Sequence, residues 1–170
     1  KEKPDALLIL GDTYSGLSVM PAANKGIKIF HMEAGLRAFD KRMPEQRNRI
    51  LIDHMSDILL PFHKHHRENL INEGIHSSKI IISGNPTFEV MDFFQEQINQ
   101  SQIIYDLKLE EKKYIPVTLH RSENVDNPII LQKILNALGD ISKQLDKKII
   151  YPMHPRTKSK IKGLNLPEGV

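Results

Sequence analysis

The chain has 170 residues, 39% of them hydrophobic and 26% charged, the balance of an ordinary globular protein with room for one domain or parts of two. Lys and Arg number 24 against 21 Asp and Glu, a formal net charge of +3 with the signs mixed along the chain, which argues against nucleic acid as a partner. There is no cysteine, so disulfides, zinc thiolates and a cysteine nucleophile are excluded, and no apolar run has the length of a membrane span.

Residues 5–10 form a near-continuous apolar run ending at Gly11-Asp12, the pattern of a strand buried on both faces. A helix is predicted over 15–25, stopped by Gly26, followed by a strand over 27–31. Pro44 opens a helix over 45–56 whose inner face is Ile50, Leu51, His54 and Met55. A strand at 57–61, a helix over 63–73 closed by Gly74, a strand at 79–83 and a helix over 87–99 follow, the last turning Val90, Met91, Phe93 and Phe94 to the core. From 100 to 113 the sequence is polar, with Leu107 and Leu109 as its few anchors. That composition marks a boundary, which divides the chain into a first domain at 1–100, a linker at 101–112 and a second domain at 113–170. The second domain reads as a strand at 113–119, a loop from His120 to Asn127 and a helix opened by Pro128. The helix carries a stripe of Leu131, Ile134, Leu135, Leu138, Ile141 and Leu145, and a strand at 148–152 then delivers His154-Pro155-Arg156. With no Met at its start and a loop at its end, the chain reads as a window from a longer polypeptide.

The alternation of strands and helices predicts an α/β fold with parallel sheets and right-handed crossovers. Polar residues gather after the strands: Asp12, Glu33, His120 and His154. Open α/β sheets bind ligands at the carboxyl ends of their strands. The passage His31-Met32-Glu33-Ala34-Gly35-Leu36-Arg37, followed by Pro44-Glu45-Gln46-Arg47-Asn48-Arg49, sets two carboxylates and several bases there, which suits paired acid and base chemistry on a sugar or nucleotide. Gly11 to Gly16 does not match the glycine fingerprint of dinucleotide binding, so a nicotinamide dehydrogenase is disfavoured, and any phosphate must be held by helix N-termini and arginines.

Each of these residues also has a plain structural reading. Asp12 suits a helix cap, Glu45 a helical first turn, Glu33 a salt bridge with a neighbouring base, His120 a strand end and His154 a helix entry. His63, His65 and His66 have no carboxylate or cysteine at ligand spacing and read as an exposed helix, not a metal site.

Beyond these local patterns, the chain resembles the non-hydrolysing UDP-N-acetylglucosamine 2-epimerase family. The matching stretches, in the family's order, are Leu10-Gly11-Asp12-Thr13, His31 to Arg37, Pro44-Glu45, Asn48-Arg49, Ser83-Gly84-Asn85-Pro86, His120-Arg121 and Tyr151-Pro152-Met153-His154-Pro155. The resemblance implies two Rossmann-like domains in a GT-B-like arrangement, both present only in part, and an isolated fragment without activity. It implies that Asp12, Glu33, Glu45 and His120 are catalytic and that Arg121, His154 and Arg37 contact a UDP-N-acetylhexosamine. The implied reaction inverts C2 by eliminating UDP to a 2-acetamidoglucal and adding it back, with no metal and no cofactor, in a cytoplasmic homodimer making surface polysaccharide precursors.

Phe39-Asp40 and Glu123-Asn124-Val125-Asp126 resemble the branch acting on UDP-N-acetyl-L-hexosamines or diacetamido sugars. Gln46 stands where the family commonly has a second glutamate, Ser122 where it has a charged residue, and Leu36 where that branch has Asn. The rival readings are a GT-B glycosyltransferase, a hydrolysing epimerase and a non-catalytic sugar-nucleotide-binding module.

Overall fold

The structure, a computed structural model, describes residues 3–40 and 42–170, and of Arg156 the backbone only. The chain divides into two compact units, Lys1–Glu96 and Gln97–Val170.

The first unit is built on a parallel sheet of β1 (Ala6–Leu10), β2 (Lys28–Met32) and β3 (Ile58–Leu60), in that spatial order. Ile9 lies opposite His31, Leu10 opposite Met32, and Met32 opposite Leu60. The strand predicted at 79–83 is reduced to a bridge between Leu59 and Ile80, with Ile81 and Ser83 N–H groups donating to Leu59 and Pro61. β1 is not buried on both faces. Ile9 is 6% exposed, while Leu8 and Leu10 are each 61% exposed. Alternate side chains of a strand face opposite sides, and only the Ile9 side is packed, by Val19, Ala22, Ile29 and Ile52.

The helix predicted over 15–25 is split into a 3₁₀ turn at Tyr14–Ser18 and α1 at Val19–Asn24. Pro21 gives the reason. In the first turn of α1 its missing N–H loses nothing, whereas an unbroken helix from Ser15 would place it in the interior. Gly26, at φ +69°, ends the element as the sequence suggested.

α2 (Pro44–Met55) opens at its proline but turns a different face inward. The buried residues are Gln46, Arg49, Ile52 and Asp53, and of the predicted face of Ile50, Leu51, His54 and Met55, Met55 packs partly buried against the core while Leu51 and His54 are exposed. Three of the four buried residues are polar and find partners in the loop after β2, which a hydrophobic pattern does not register. α3 (Lys64–Asn72) follows and is closed at Gly74, with φ +89°. The helix predicted over 87–99 breaks at Phe94 into α4 (Pro86–Phe93) and α5 (Gln95–Asn99), and neither buries a residue. Val90, Met91, Phe93 and Phe94, predicted to face the core, are exposed because no layer covers them among the described residues.

α5 runs across the division between the units, and α6 (Ile103–Asp106) follows inside the segment read as a linker. β4 (Tyr114–Pro116) pairs in parallel with β5 (Lys148–Ile150). Pro116, which has no N–H, ends β4 earlier than predicted, although Val117 N still donates to Ile150. α7 (Ser122–Val125) precedes α8 (Pro128–Leu145), whose start is capped by the Asn127 side chain accepting from Ile129 and Ile130 N–H groups. α8 buries Leu131, Leu135, Gly139 and Ser142. The predicted stripe holds at its amino end, but Ile141 and Leu145 are exposed. Gly139 takes over because Pro167 lies where a Cβ would sit. α9 (Pro155–Lys160) closes the described elements. No helix among the described residues is long and apolar enough to cross a membrane.

Candidate active site

Parallel register between β1 and β2 brings the residues that leave them to one edge of the sheet. Gly11 N donates to Met32 O, and Glu33 N donates to Leu60 O, so the pairing carries into the loops. Gly11 has φ +78°, and a Cβ there would lie 2.9 Å from Glu33 Oε2. Glycine is what lets the two loops approach. Glu33 itself is left-handed, at φ +66°, a conformation that non-glycine residues adopt chiefly where the surroundings enforce it.

Arg49 supplies that enforcement. It is 5% exposed, its Nη2 donates to Asp12 Oδ2, and its Nη1 donates to the Glu33 carbonyl at 2.8 Å and pairs with Glu33 Oε2 at 3.1 Å. Asn48, one residue earlier on α2, donates to the Asp12 carbonyl at 3.0 Å. One guanidinium thus holds two carboxylates whose repulsion would otherwise drive them apart. Both remain reachable, the Asp12 side chain 19% and the Glu33 side chain 31% exposed.

Behind the pair lies a buried polar layer. Asp53, also on α2, meets His31 Nδ1 at 2.7 Å and accepts from Gly35 N at 3.1 Å and Arg37 Nη2 at 2.7 Å. His31 Nε2 lies 2.9 Å from the Gly11 carbonyl, so the ring stands between that carbonyl and the Asp53 carboxylate. The side chain of Arg37, anticipated at the substrate, is 1% exposed, and its guanidinium also engages Glu73 through two bonds of 2.7 and 2.6 Å. Burial opposes its charge, but the bonds to Glu73 and the proximity of Asp53 outweigh it and raise its pKa. In this place Arg37 fixes the loop and offers no open face to a ligand.

Glu45 lies in the first turn of α2, exposed, one turn ahead of Arg49. Gln46 is buried, and its side-chain oxygen accepts from Ala38 N at 2.7 Å, so it braces the same loop. The histidines divide. His63 and His65 are exposed as predicted, but His66 is partly buried and within electrostatic reach of Glu33 and Arg49. No cluster of three or more metal-ligating side chains exists among the described residues.

In the second unit His120 follows β4 and His154 follows β5, both exposed at the carboxyl end of a parallel pair. Tyr151 OH donates to the Leu119 carbonyl at 2.6 Å and so ties the two exits together. Arg121 stands at the N-cap of α7. His154 leads into α9, its carbonyl accepting from Lys158 N. A cleft of about 490 Å³ lined by Lys108, Lys113, Lys143, Lys147 and Lys148 opens at the amino ends of the same strands, away from these side chains.

The structure therefore brings Asp12 and Glu33 together, sets Glu45 on the helix that clamps them, and places His120, Arg121 and His154 in the second unit. Asn48 and Arg49 stood in the sequence only as part of a matching stretch, with no role of their own, and Asp53 was not singled out. Their signal was there in Gln46, Arg49 and Asp53, polar residues at helical spacing of three and four.

A family model described as UDP-N-acetylglucosamine 2-epimerase matches residues 1–168. The chain belongs to the UDP-N-acetylglucosamine 2-epimerase family. A family member from Methanococcus maripaludis, a UDP-N-acetylglucosamine 2-epimerase, is 43% identical over 98% of this chain and 46% of its own length. A UDP-2,3-diacetamido-2,3-dideoxy-D-glucuronate 2-epimerase from Pseudomonas aeruginosa is 39% identical over 98% of this chain and 46% of its own length. The crystal structure of the Methanocaldococcus jannaschii UDP-GlcNAc 2-epimerase, in complex with UDP-GlcNAc and UDP, superposes with a TM-score of 0.85 at 36% identity, covering 97% of this chain and 46% of that one. The chain spans about half the length of the relatives it matches, and its α/β units with parallel sheets are those of the epimerase fold.

Proposed function

We propose that the whole protein is a non-hydrolysing 2-epimerase of a UDP-N-acetylhexosamine. The observation that carries the reading is the shared guanidinium of Arg49, which holds Asp12 and Glu33 side by side at the carboxyl ends of β1 and β2 while leaving both reachable. In the proposed reaction a carboxylate takes the C2 proton. The C–H electron pair becomes the C1–C2 double bond, and the C1–O bond breaks with its electrons leaving on UDP. A proton then returns to the opposite face of C2, and the diphosphate oxygen re-forms the bond at C1.

Inversion at C2 needs a base on one face and an acid on the other, which Asp12, Glu33 and Glu45 supply between them. His120 and Arg121 serve the departing diphosphate, where a cationic donor stabilises the developing charge, and His154 adds a substrate contact. Arg37 acts at one remove by fixing the Glu33 loop. Since UDP is itself the leaving group, the route calls for no metal or redox cofactor. A cytoplasmic location and a homodimeric assembly complete the reading and rest on the family resemblance.

The test is to incubate the whole protein with UDP-GlcNAc in deuterium oxide and follow C2 by NMR. Deuterium at C2 together with a UDP-linked epimer supports the proposal. Free sugar would indicate a hydrolysing enzyme, and no deuterium at C2 would favour a transferase or a binding module.

A further inference from the structure

Side chains alternate along β2, so Ile29 and His31 face the packed side of the sheet together, and His31 is fully buried. Both of its ring nitrogens are served there. Nε2 lies 2.9 Å from the Gly11 carbonyl oxygen, and Nδ1 lies 2.7 Å from Asp53 Oδ1. The Gly11 carbonyl belongs to the peptide that joins Gly11 to Asp12. Asn48 grips the carbonyl on the other side of Asp12 at 3.0 Å, and Arg49 takes its carboxylate. α2 therefore holds Asp12 by the peptide before it, the peptide after it and the side chain, and the first of these holds runs from Asp53 through His31.

The two partners of the ring constrain its protons. A carbonyl oxygen only accepts, so Nε2 carries a hydrogen. A bare Nδ1 would set its lone pair against a carboxylate oxygen at 2.7 Å, so one proton lies in that contact. Asp53 Oδ2 meanwhile accepts from Gly35 N at 3.1 Å and pairs with Arg37 Nη2 at 2.7 Å, contacts that favour the ionised acid and leave the shared proton to the ring. The surrounding charges point the same way. The guanidiniums of Arg37 and Arg49 face the carboxylates of Asp53, Glu73, Asp12 and Glu33, two cations against four anions, and a charged His31 narrows that gap.

We propose that His31 is a positioning residue of this site: bearing a proton on both ring nitrogens, it transmits the hold of Asp53 to the Gly11–Asp12 peptide and so aims the Asp12 carboxylate. The effect on turnover rests on the epimerase reading; the protons of the ring and its hold on the peptide do not.

The experiment uses the whole protein and nitrogen-15 NMR, with the His31 signals assigned by their loss in His31→Gln and His31→Asn. Both ring nitrogens should carry hydrogen at neutral pH. Asp53→Asn, which can offer Nδ1 a donor in place of an acceptor, should leave that nitrogen bare. A bare Nδ1 in the unmodified protein, or a ring unchanged by Asp53→Asn, overturns the proposal. The two histidine variants then separate positioning from packing. A glutamine amide reaches the place of Nε2 and keeps a donor for the Gly11 carbonyl, whereas an asparagine amide stays near Nδ1 and loses it. The Asp12 amide nitrogen shares its peptide with that carbonyl, so its signal should move further in His31→Asn than in His31→Gln. His31→Asn should also lower kcat roughly tenfold further than His31→Gln, with KM little changed in both. Equal effects from the two variants, loss of folding included, overturn the positioning role. In a protein without epimerase activity the ring and amide signals still decide.

Discussion

α2 and α8 are each laid against a parallel sheet, yet they bury opposite kinds of side chain. α8 turns in Leu131 and Leu135, then narrows to Gly139 and Ser142 where the chain end crosses it. α2 turns in Gln46, Arg49 and Asp53 around one fully buried apolar residue, Ile52, with Met55 packed partly buried beside it. The α8 interface stabilises by removing apolar surface from water, roughly 25 cal/mol per Å². The α2 interface gains little by burial of its charges alone, because desolvation offsets most of their attraction. What it provides is position, since each buried polar group on α2 reaches a different residue of the loops carrying Asp12 and Glu33. A packed helix can support a fold or support a site, and this chain has one of each.

The contrast can be broken first at Asp53. Asp53→Leu strips His31, Arg37 and the Gly35 N–H of their common acceptor, and should cost about 3–5 kcal/mol in chemical denaturation of the whole protein. An effect below about 1 kcal/mol would mean the buried layer is not what holds the loop. Leu135→Ala in α8 should cost about 3 kcal/mol through the cavity it leaves, with the turnover of the folded fraction unchanged. Glu45→Gln sharpens the comparison from the other side. This exposed residue should shift stability by less than about 0.5 kcal/mol while lowering the epimerisation rate on the order of a hundredfold.

The smallest effect concerns Asp57. The Ile29 N–H holds its carboxyl below the usual carboxylate range, burial partly opposes this, and Lys28 adds to it. A depressed carboxylate contributes stability that is present above its unfolded value of 3.8 and is lost as pH falls through the folded one. Asp57→Asn should therefore flatten the decline of melting temperature on the acid side by a small amount, as the exposure of the Lys28 pair requires.

The order of the elements was legible in the sequence because strand ends carry Gly11, helix starts carry Pro44 and Pro128, and helix ends carry Gly26 and Gly74. Asp12 and Glu33 were legible as residues leaving neighbouring strands. Arg49 was visible as part of the Asn48-Arg49 stretch but its role was not, because a charged residue inside a helix reads as solvent-facing until its partners are known, and those partners lie 16 and 37 positions away. The inner face of α2 was misread for the same reason. Ile50 and Leu51 looked like core while the core position belonged to a salt bridge. His66 reads as one of three histidines on a surface helix, and only the close approach of Gly35 sets it apart from His63 and His65.

The central claim is that one guanidinium organises two carboxylates for chemistry at C2, and Arg49→Lys in the whole protein tests it most directly. An ammonium keeps the charge but cannot reproduce the forked contacts to Asp12 and to Glu33. Deuterium incorporation at C2 of UDP-GlcNAc should fall by roughly tenfold or more relative to the unmodified protein, in line with the loss of an interaction that positions reacting groups. Incorporation at the unmodified rate would contradict the account.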